Sequence, residues 1–444
     1  IIKLEQNYRS TKKILEAADA VVSHNTRRIG KALWTENPSG EPLDLFSSGN
    51  GKEEAHFVVE TIAKTGRPPE EHAILYRTNA QSRLFEEALA GRGMPYIIIG
   101  GVRFYERKEI KDLIAYLRLL INPADEISWK RIVNTPPREI GKGSAAVIAE
   151  VCQQEQLTPL AAARTVLERD LLTARGARAL KGFLDLLEDL RLEMAEKEPA
   201  EFLTHLIRAI GYEEYLERDN PQEAESRMEN VDQLVSAVGE YAAGAEGIQE
   251  FLEHTALLSE VENTRGAGGV SLMTLHCAKG LEFPVVFMVG LEENLFPHAR
   301  SRDDADEAEE ERRLCYVGMT RARERLVLTR SISRELFGRS QFNEPSRFLE
   351  EIPPQLLRDL TPRAPVSIAT RGRSYVPDPG AEEDSRERRD VGPFKLGKRV
   401  HHPDYGIGTI IGMEGTGETL KLTVSFSVYG SKKFLPKYAP LEPI

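Results

Sequence analysis

Apolar residues recur along this chain in two rhythms, and the change between them divides it. In "TKKILEAADAVVSHN", Ile14, Leu15, Ala18, Val21 and Val22 fall on one face at helical spacing, with Ser10 or Thr11 placed to cap. Short apolar runs follow at Leu43 to Phe46, Ala73 to Arg77 and Tyr96 to Ile99. Helical patterns separate them, from about Glu53 to Lys64 and in "NAQSRLFEEALAGRG". Such alternation predicts a parallel sheet with crossover helices. From about Phe104 to Arg265 the strand rhythm disappears. "EIKDLIAYLRLLIN" puts Ile110, Leu113, Ile114, Leu117 and Leu120 on one stripe, and the segments after it keep the helical period. Strand runs return in "GVSLMTLH" (Gly269 to His276), "VVFMVG" (Val285 to Gly290) and "RLVLT" (Arg325 to Thr329). The prediction is an α/β fold: a parallel-sheet domain interrupted by a large all-helical insertion.

Residues 353–392 are rich in Pro, Gly, Arg and acids and poor in apolar residues, the composition of a flexible linker. Beyond them, short strand patterns alternate with Gly-containing turns, which predicts a small β-barrel. The expected divisions are 1–103 and 266–352 for the two parts of the sheet domain, 104–265 for the insertion, 353–392 for the linker and 393–444 for the β module.

Composition narrows the class. A chain of 444 residues exceeds one compact core, and 29% charged residues indicate a soluble protein. No apolar run is long enough to span a bilayer, so no membrane partner is expected. Cys152, Cys277 and Cys315 are far apart and form no CxxC pair. Neither a zinc site nor a disulfide framework is indicated, and a cytoplasmic location is expected. The net charge of −11 weighs against nucleic acid only as an average, because local faces do the binding and the run Asp303 to Glu311 supplies much of the excess. The first residues are Ile1-Ile2-Lys3-Leu4, so a fragment is expected.

Between Arg312 and Arg325 lie five arginines, in "RRLCYVGMTRARER". A guanidinium fork suits phosphate, but arginines on a helix beside Glu309 to Glu311 also suit surface ion pairs. "TLH" ends an apolar strand, where α/β sheets place ligands. "RTNAQSR" (Arg77 to Arg83) opens a helix, and helix amino termini favour phosphate. In "NTPPREIGKGSAAVI" (Asn134 to Ile148), Gly141 and Gly143 form a turn before another helix.

"LEQNYRST" (Leu4 to Thr11), "GGVRFYERKEIKDLIAYLR" (Gly100 to Arg118), "MTLHCAKGLEFP" (Met273 to Pro284) and "RRLCYVGMTRARERL" together resemble the UvrD/PcrA-type superfamily 1 DNA helicases, in the right order and spacing. The resemblance implies the carboxy-terminal half of an ATP-dependent 3′–5′ helicase of DNA repair or replication: a second RecA-like domain, an inserted helical domain and a Tudor-like tail. It implies that Arg321 and Arg9 are arginine fingers on the γ-phosphate, that Tyr8 stacks on adenine, that Glu282 binds the ribose hydroxyls, and that Gly280 lets backbone approach the nucleotide. Thr274 and His276 would touch the single-strand backbone, with Asn79 and Arg83 as a second backbone-contacting segment. Gly141, Lys142 and Gly143 would grip duplex phosphate at single-strand/double-strand junctions. For Arg312, Arg313, Arg323 and Arg325 the expectation is surface pairing with Glu309 to Glu311.

The phosphate cradle GxxxxGK[ST] has no match in the chain, nor is there an apolar strand ending in Asp-Glu to hold magnesium. The ligands of Mg²⁺, and most of the ATP cradle, are therefore expected in a missing first RecA-like domain, and the chain alone is expected to be inactive. RNA polymerase is the partner implied for the tail. The alternative reading is a non-catalytic fragment that binds DNA and RNA polymerase. A helicase–nuclease would need a nuclease domain where the linker and β module stand.

Overall fold

The computed structural model describes residues 5–26, 34–263, 268–302, 304–336 and 339–361, and in the carboxy-terminal part 399–403, 406–414, 421–426, 430–434, 436 and 441–443. Two compact units divide the chain, Ile1–Pro362 and Arg363–Ile444.

The first unit starts with α1 (Lys12–Ser23), β1 (Leu43–Asn50), α2 (Gly51–Thr65), β2 (His72–Tyr76), α3 (Ser82–Gly91) and β3 (Tyr96–Ile98). Thr11 is the residue before α1, but its hydroxyl makes no capping bond. Among the described residues nine helices follow: α4 (Lys108–Ile121), α5 (Glu126–Ile132), α6 (Lys142–Glu155), α7 (Pro159–Glu168), α8 (Ala174–Met194), α9 (Pro199–Ala209), α10 (Tyr212–Asp219), α11 (Ala224–Val238) and α12 (Ala245–Asn263). Among the described residues there is no strand between β3 and β4 (Val270–Thr274). The unit continues through β5 (Phe283–Met288), α13 (Ala305–Met319), β6 (Ala322–Leu336), β7 (Arg339–Phe342), α14 (Arg347–Glu350) and β8 (Leu357–Asp359).

The strands run in the order β3-β4-β2-β5-β6-β1-β8, all parallel, with β7 antiparallel on β6. β3 lies beside β4, with Ile97 opposite Ser271, so the helical segment is threaded between two neighbouring strands of one sheet. Alternation within the strands supplies two cores. Ala73 and Leu75 of β2, with Leu326 and Leu328 of β6, pack with Ile14, Val21, Leu314 and Phe348 on one face. Ile74, Tyr76 and Val327 pack with Val58, Ile62, Phe85 and Leu89 on the other. The helices bury a third core of their own, from Phe104 through Tyr116, Phe183 and Phe202 to Phe251.

Two expectations change here. The sheet takes an additional strand from the stretch expected as linker: β8 pairs with β1, Leu357 opposite Leu43, and Leu356 is buried. The strand is only three residues long and follows Pro353 and Pro354, so composition conceals it. The rest of the expected linker, 362–392, lies outside the described residues, as do 393–398 of the expected β module. In the second unit β9 (Arg399–His402), β10 (Gly406–Glu414), β11 (Lys421–Phe426), β12 (Gly430–Phe434) and β13 (Glu442–Pro443) form an antiparallel sheet in the order β12-β11-β10-β9-β13. Among the described residues its two end strands do not pair with each other, so the sheet is a path of five strands and the expected barrel closure is not seen. Val400, His402, Ile410, Leu422 and Val424 are buried among its described strand residues.

Candidate functional site

The segment holding Tyr8 and Arg9 is fastened to the start of β6. Asn7 Oδ1 accepts the backbone N–H groups of Arg9 (2.8 Å) and Ser10 (2.9 Å). The Ser10 hydroxyl donates to the carbonyl of Ala322 (2.7 Å), and the Thr11 N–H donates to that of Arg323 (3.2 Å). The chain is thereby turned so that Arg9 meets residues some three hundred positions away. Its Nε donates to Glu282 Oε2 at 2.5 Å, and its Nη1 donates to the carbonyl of Thr320 at 3.3 Å. Tyr8 is 78% exposed and donates to Gln6 (2.6 Å), so it is a surface ring and not a core residue.

Arg321 lies against the same two segments. Its Nε donates to the Val317 carbonyl (2.9 Å), Nη1 to the Leu281 carbonyl (3.1 Å) and Nη2 to the Thr320 hydroxyl (3.3 Å). Burial lowers its affinity for a proton, and the charge of Arg9 lowers it further. The Glu282 carboxyl is held below its ordinary range, first by the hydrogen bond from Arg9 and then by the charges of Arg9, Arg323 and Arg321. Three guanidinium groups thus act on one carboxylate, leaving positive charge in excess, which is the electrostatics of an anion site. Gly280 has φ +92, and a Cβ there would meet nothing within 4 Å, so backbone conformation and not crowding calls for glycine.

The second group of predicted residues stands at the other end of the parallel strands. Glu282 and Arg321 precede β5 and β6, whereas Thr274 is the last residue of β4 and Asn79 follows the end of β2. Tyr76 is level with Thr274 in the β2–β4 ladder, so the two segments emerge side by side. His276 is exposed, and its proton affinity is lowered by burial of the ring edge and by Arg77. The shift favours the neutral ring, which can donate one hydrogen bond. Asn79 is half-buried, and its carbonyl accepts from Arg107 (3.2 Å).

Arg83 corrects the sequence reading. It is 3% exposed, on the inner side of α3, and is paired with Glu87 (3.1 Å) and Glu240 (3.9 Å). It ties α3 to the helical segment, where carboxylates engage its guanidinium. The backbone amides of Arg77 and Thr78 are likewise taken, by Gln81 Oε1 at 2.9 and 3.0 Å.

The other arginines divide. Arg313 forms the expected pairs with Glu309 and Glu310 along α13, and Arg323 is exposed. Arg312 instead grips Glu351 and Asn25, and Arg325 binds the fully buried Asp44. The acidic run is not wholly solvated: Glu309 and Glu311 are buried, and Glu311 holds Arg77 through both oxygens. Thr320 is the residue that sequence reasoning missed. It is 3% exposed, and its carbonyl and hydroxyl take Arg9 and Arg321 respectively.

In the helical segment, Gly141 immediately precedes α6, and Gly141, Lys142 and Gly143 are all exposed. Glu139, two residues before, has φ 65 and pairs with Arg175. Among the tail residues, Tyr405 and Tyr429 lie outside the described residues. No helix among the described residues is long and apolar enough to cross a membrane.

The family described as the UvrD-like helicase C-terminal domain matches residues 2–333, and the PcrA/UvrD tudor domain matches residues 396–443. DNA helicase II of Escherichia coli (strain K12) is 42% identical over 452 residues, which cover 100% of this chain and 62% of that protein. The ATP-dependent DNA helicase PcrA of Staphylococcus aureus (strain Mu50) is 38% identical over 454 residues, covering 99% of this chain and 62% of its own length. The chain therefore spans less than two thirds of these relatives, at their carboxy-terminal half. On its sheet topology, its converging arginines and these matches, the chain belongs to the UvrD-like helicase C-terminal domain family.

Proposed function

We propose that this chain is the second motor domain, with its helical insertion and tail, of an ATP-dependent DNA helicase that moves 3′ to 5′ on single-stranded DNA and opens duplex. The observation that carries this reading is the convergence of Arg9 and Arg321 on Thr320 beside Glu282. Two forks held side by side suit a transferring phosphoryl group, whose charge grows on oxygens that planar donors can share. Tyr8 is exposed beside them, as a ring that stacks on a base must be. Glu282 is the acid for the ribose, and Gly280 shapes the turn that brings it there.

DNA is assigned to the carboxyl ends of β4 and β2, at Thr274, His276 and Asn79, without Arg83. Duplex phosphate is assigned to the exposed turn Gly141-Lys142-Gly143, where backbone amides and one ammonium bind without reading sequence. RNA polymerase is the proposed partner of the tail. Among the described residues no group of three or more His, Cys, Asp or Glu could hold a metal ion. The chain's own contribution is cationic, and no step here runs through magnesium.

The test is ATP turnover with and without single-stranded DNA, for the chain alone and for a protein joining it to a domain that carries the phosphate cradle. DNA-stimulated turnover should need the cradle. Robust turnover by the chain alone would overturn the reading in favour of a site not described above.

A further inference from the structure

Glu282 has two claims on it. As an acid for ribose it should face a sugar, yet its carboxylate Oε2 is bonded to Arg9 Nε at 2.5 Å. The pair is only partly shielded, with 27% of the Arg9 side chain and 44% of that of Glu282 exposed. An ion pair of that exposure is readily exchanged. Arg321 has no such carboxylate: its three donor nitrogens rest on two carbonyls and a hydroxyl. Of the two forks, then, one is matched to an anion of the chain itself and the other to neutral acceptors.

We propose that Glu282 is an internal surrogate for phosphate, holding the fork of Arg9 in position until an oligophosphate displaces it. The proposal rests on the reading of Arg9 as a phosphate ligand. A carboxylate oxygen and a phosphate oxygen are both anionic acceptors for a guanidinium N–H, so phosphate can take the place of Glu282 Oε2 at Arg9 Nε. The doubly charged terminal phosphate is the stronger partner. The Glu282 side chain is 44% exposed, so the released carboxylate can turn into solvent. Thr320 keeps its carbonyl bond to Arg9 Nη1 throughout, as the fixed half of the arrangement. Glu282 thereby acts as a selectivity filter. A ligand must carry enough phosphate charge to outcompete it before Arg9 is engaged.

The probe is inorganic tripolyphosphate, which has neither ribose nor base, titrated by calorimetry into the 444-residue chain. Glu282→Gln should bind it about two- to fivefold more tightly than wild type, the range of one partly exposed ion pair. A role for Glu282 in ribose binding alone predicts no change. Loss of a nearby negative charge would also tighten binding, so Arg9→Ala and the double variant complete a cycle. Exchange at Arg9 predicts that Glu282→Gln has no effect once Arg9 is gone. An equal gain in the Arg9→Ala background overturns the surrogate role, as does an unchanged affinity in Glu282→Gln while Arg9→Ala weakens binding. If neither Arg9→Ala nor Arg321→Ala weakens tripolyphosphate binding, or wild type binds none, the phosphate reading falls and the inference with it.

Discussion

Arg334 and Glu292 meet fork to fork in full burial. Arg334 Nε lies 3.0 and 2.8 Å from the two Glu292 oxygens, and Nη2 is 2.6 Å from Oε1. Glu54 of α2, also fully buried, binds the same guanidinium, so one cation on β6 serves a carboxylate from α2 and one from the segment after β5. Arg334→Ala should destabilise the sheet unit by about 3–5 kcal/mol, since it leaves both acids buried and unpaired. Arg334→Lys should recover little, because an ammonium cannot span two carboxylates as a fork does. Urea unfolding of the chain measures both. A loss no greater than that of an exposed arginine would contradict this account.

The candidate fingers are separable by substitution. In a protein that joins this chain to a phosphate cradle, Arg321→Ala should lower kcat by roughly 10³-fold, with a smaller effect on nucleotide affinity. Arg321→Lys should fail as well. Arg323→Ala, two residues on and exposed, should be nearly silent. Steady-state ATPase rates on the three variants decide it, and comparable losses at Arg321 and Arg323 would remove Arg321 from the role.

Asp232, on α11, has its carboxyl pushed up to about 7, by burial and then by the charges of Glu229 and Glu213. The folded chain therefore binds this proton more tightly than the unfolded chain does. Between about pH 4 and 7 the folded state carries the extra proton, and stability from this group declines as pH rises through that window. Asp232→Asn removes the penalty. It should raise stability by about 1–3 kcal/mol at pH 8 and by nothing below pH 4. Thermal unfolding at pH 4, 6 and 8 reads the gap, and a gap independent of pH would show that Asp232 does not titrate in this range.

Lys142→Ala tests the turn before α6. Duplex binding should weaken alike on all sequences, and the dependence of log K on log salt should become shallower by about one phosphate contact. An unchanged salt slope would place the duplex elsewhere.

Much of this was visible in the sequence because it is local. The helical stripe of Ile110, Leu113 and Leu117 reappears as buried residues of α4. The strand runs at Tyr96 and Ser271, interrupted by helices, reappear as paired neighbours. What escaped is set by contacts between distant residues. Arg325 finds Asp44 and Arg312 finds Glu351, across separations that no periodicity records. Arg83 was misread for the same reason. Its place at the head of a helix is readable, but Glu240, which helps to bury it, comes from the far end of the insertion. Thr320 carries no mark in the sequence, because its role depends on Arg9 folding back beside the start of β6.

The adjacency of β3 and β4 also bears on how the chain reaches its fold. These strands touch across about 170 residues of intervening chain, a separation that ordinarily slows pairing because loop closure must precede any gain. Here the intervening chain has a hydrophobic core of its own, with contacts that are mostly between successive helices. A chain that packs α4 to α12 first has its two ends delivered together, and the closure is already met when β4 reaches the sheet. During synthesis the first three strands leave the ribosome long before β4, β5 and β6 exist. Until then β2, which ends between β4 and β5, has both edges bare, and its run His72-Ala73-Ile74-Leu75-Tyr76, wholly buried in the finished sheet, is the segment most exposed to mispairing.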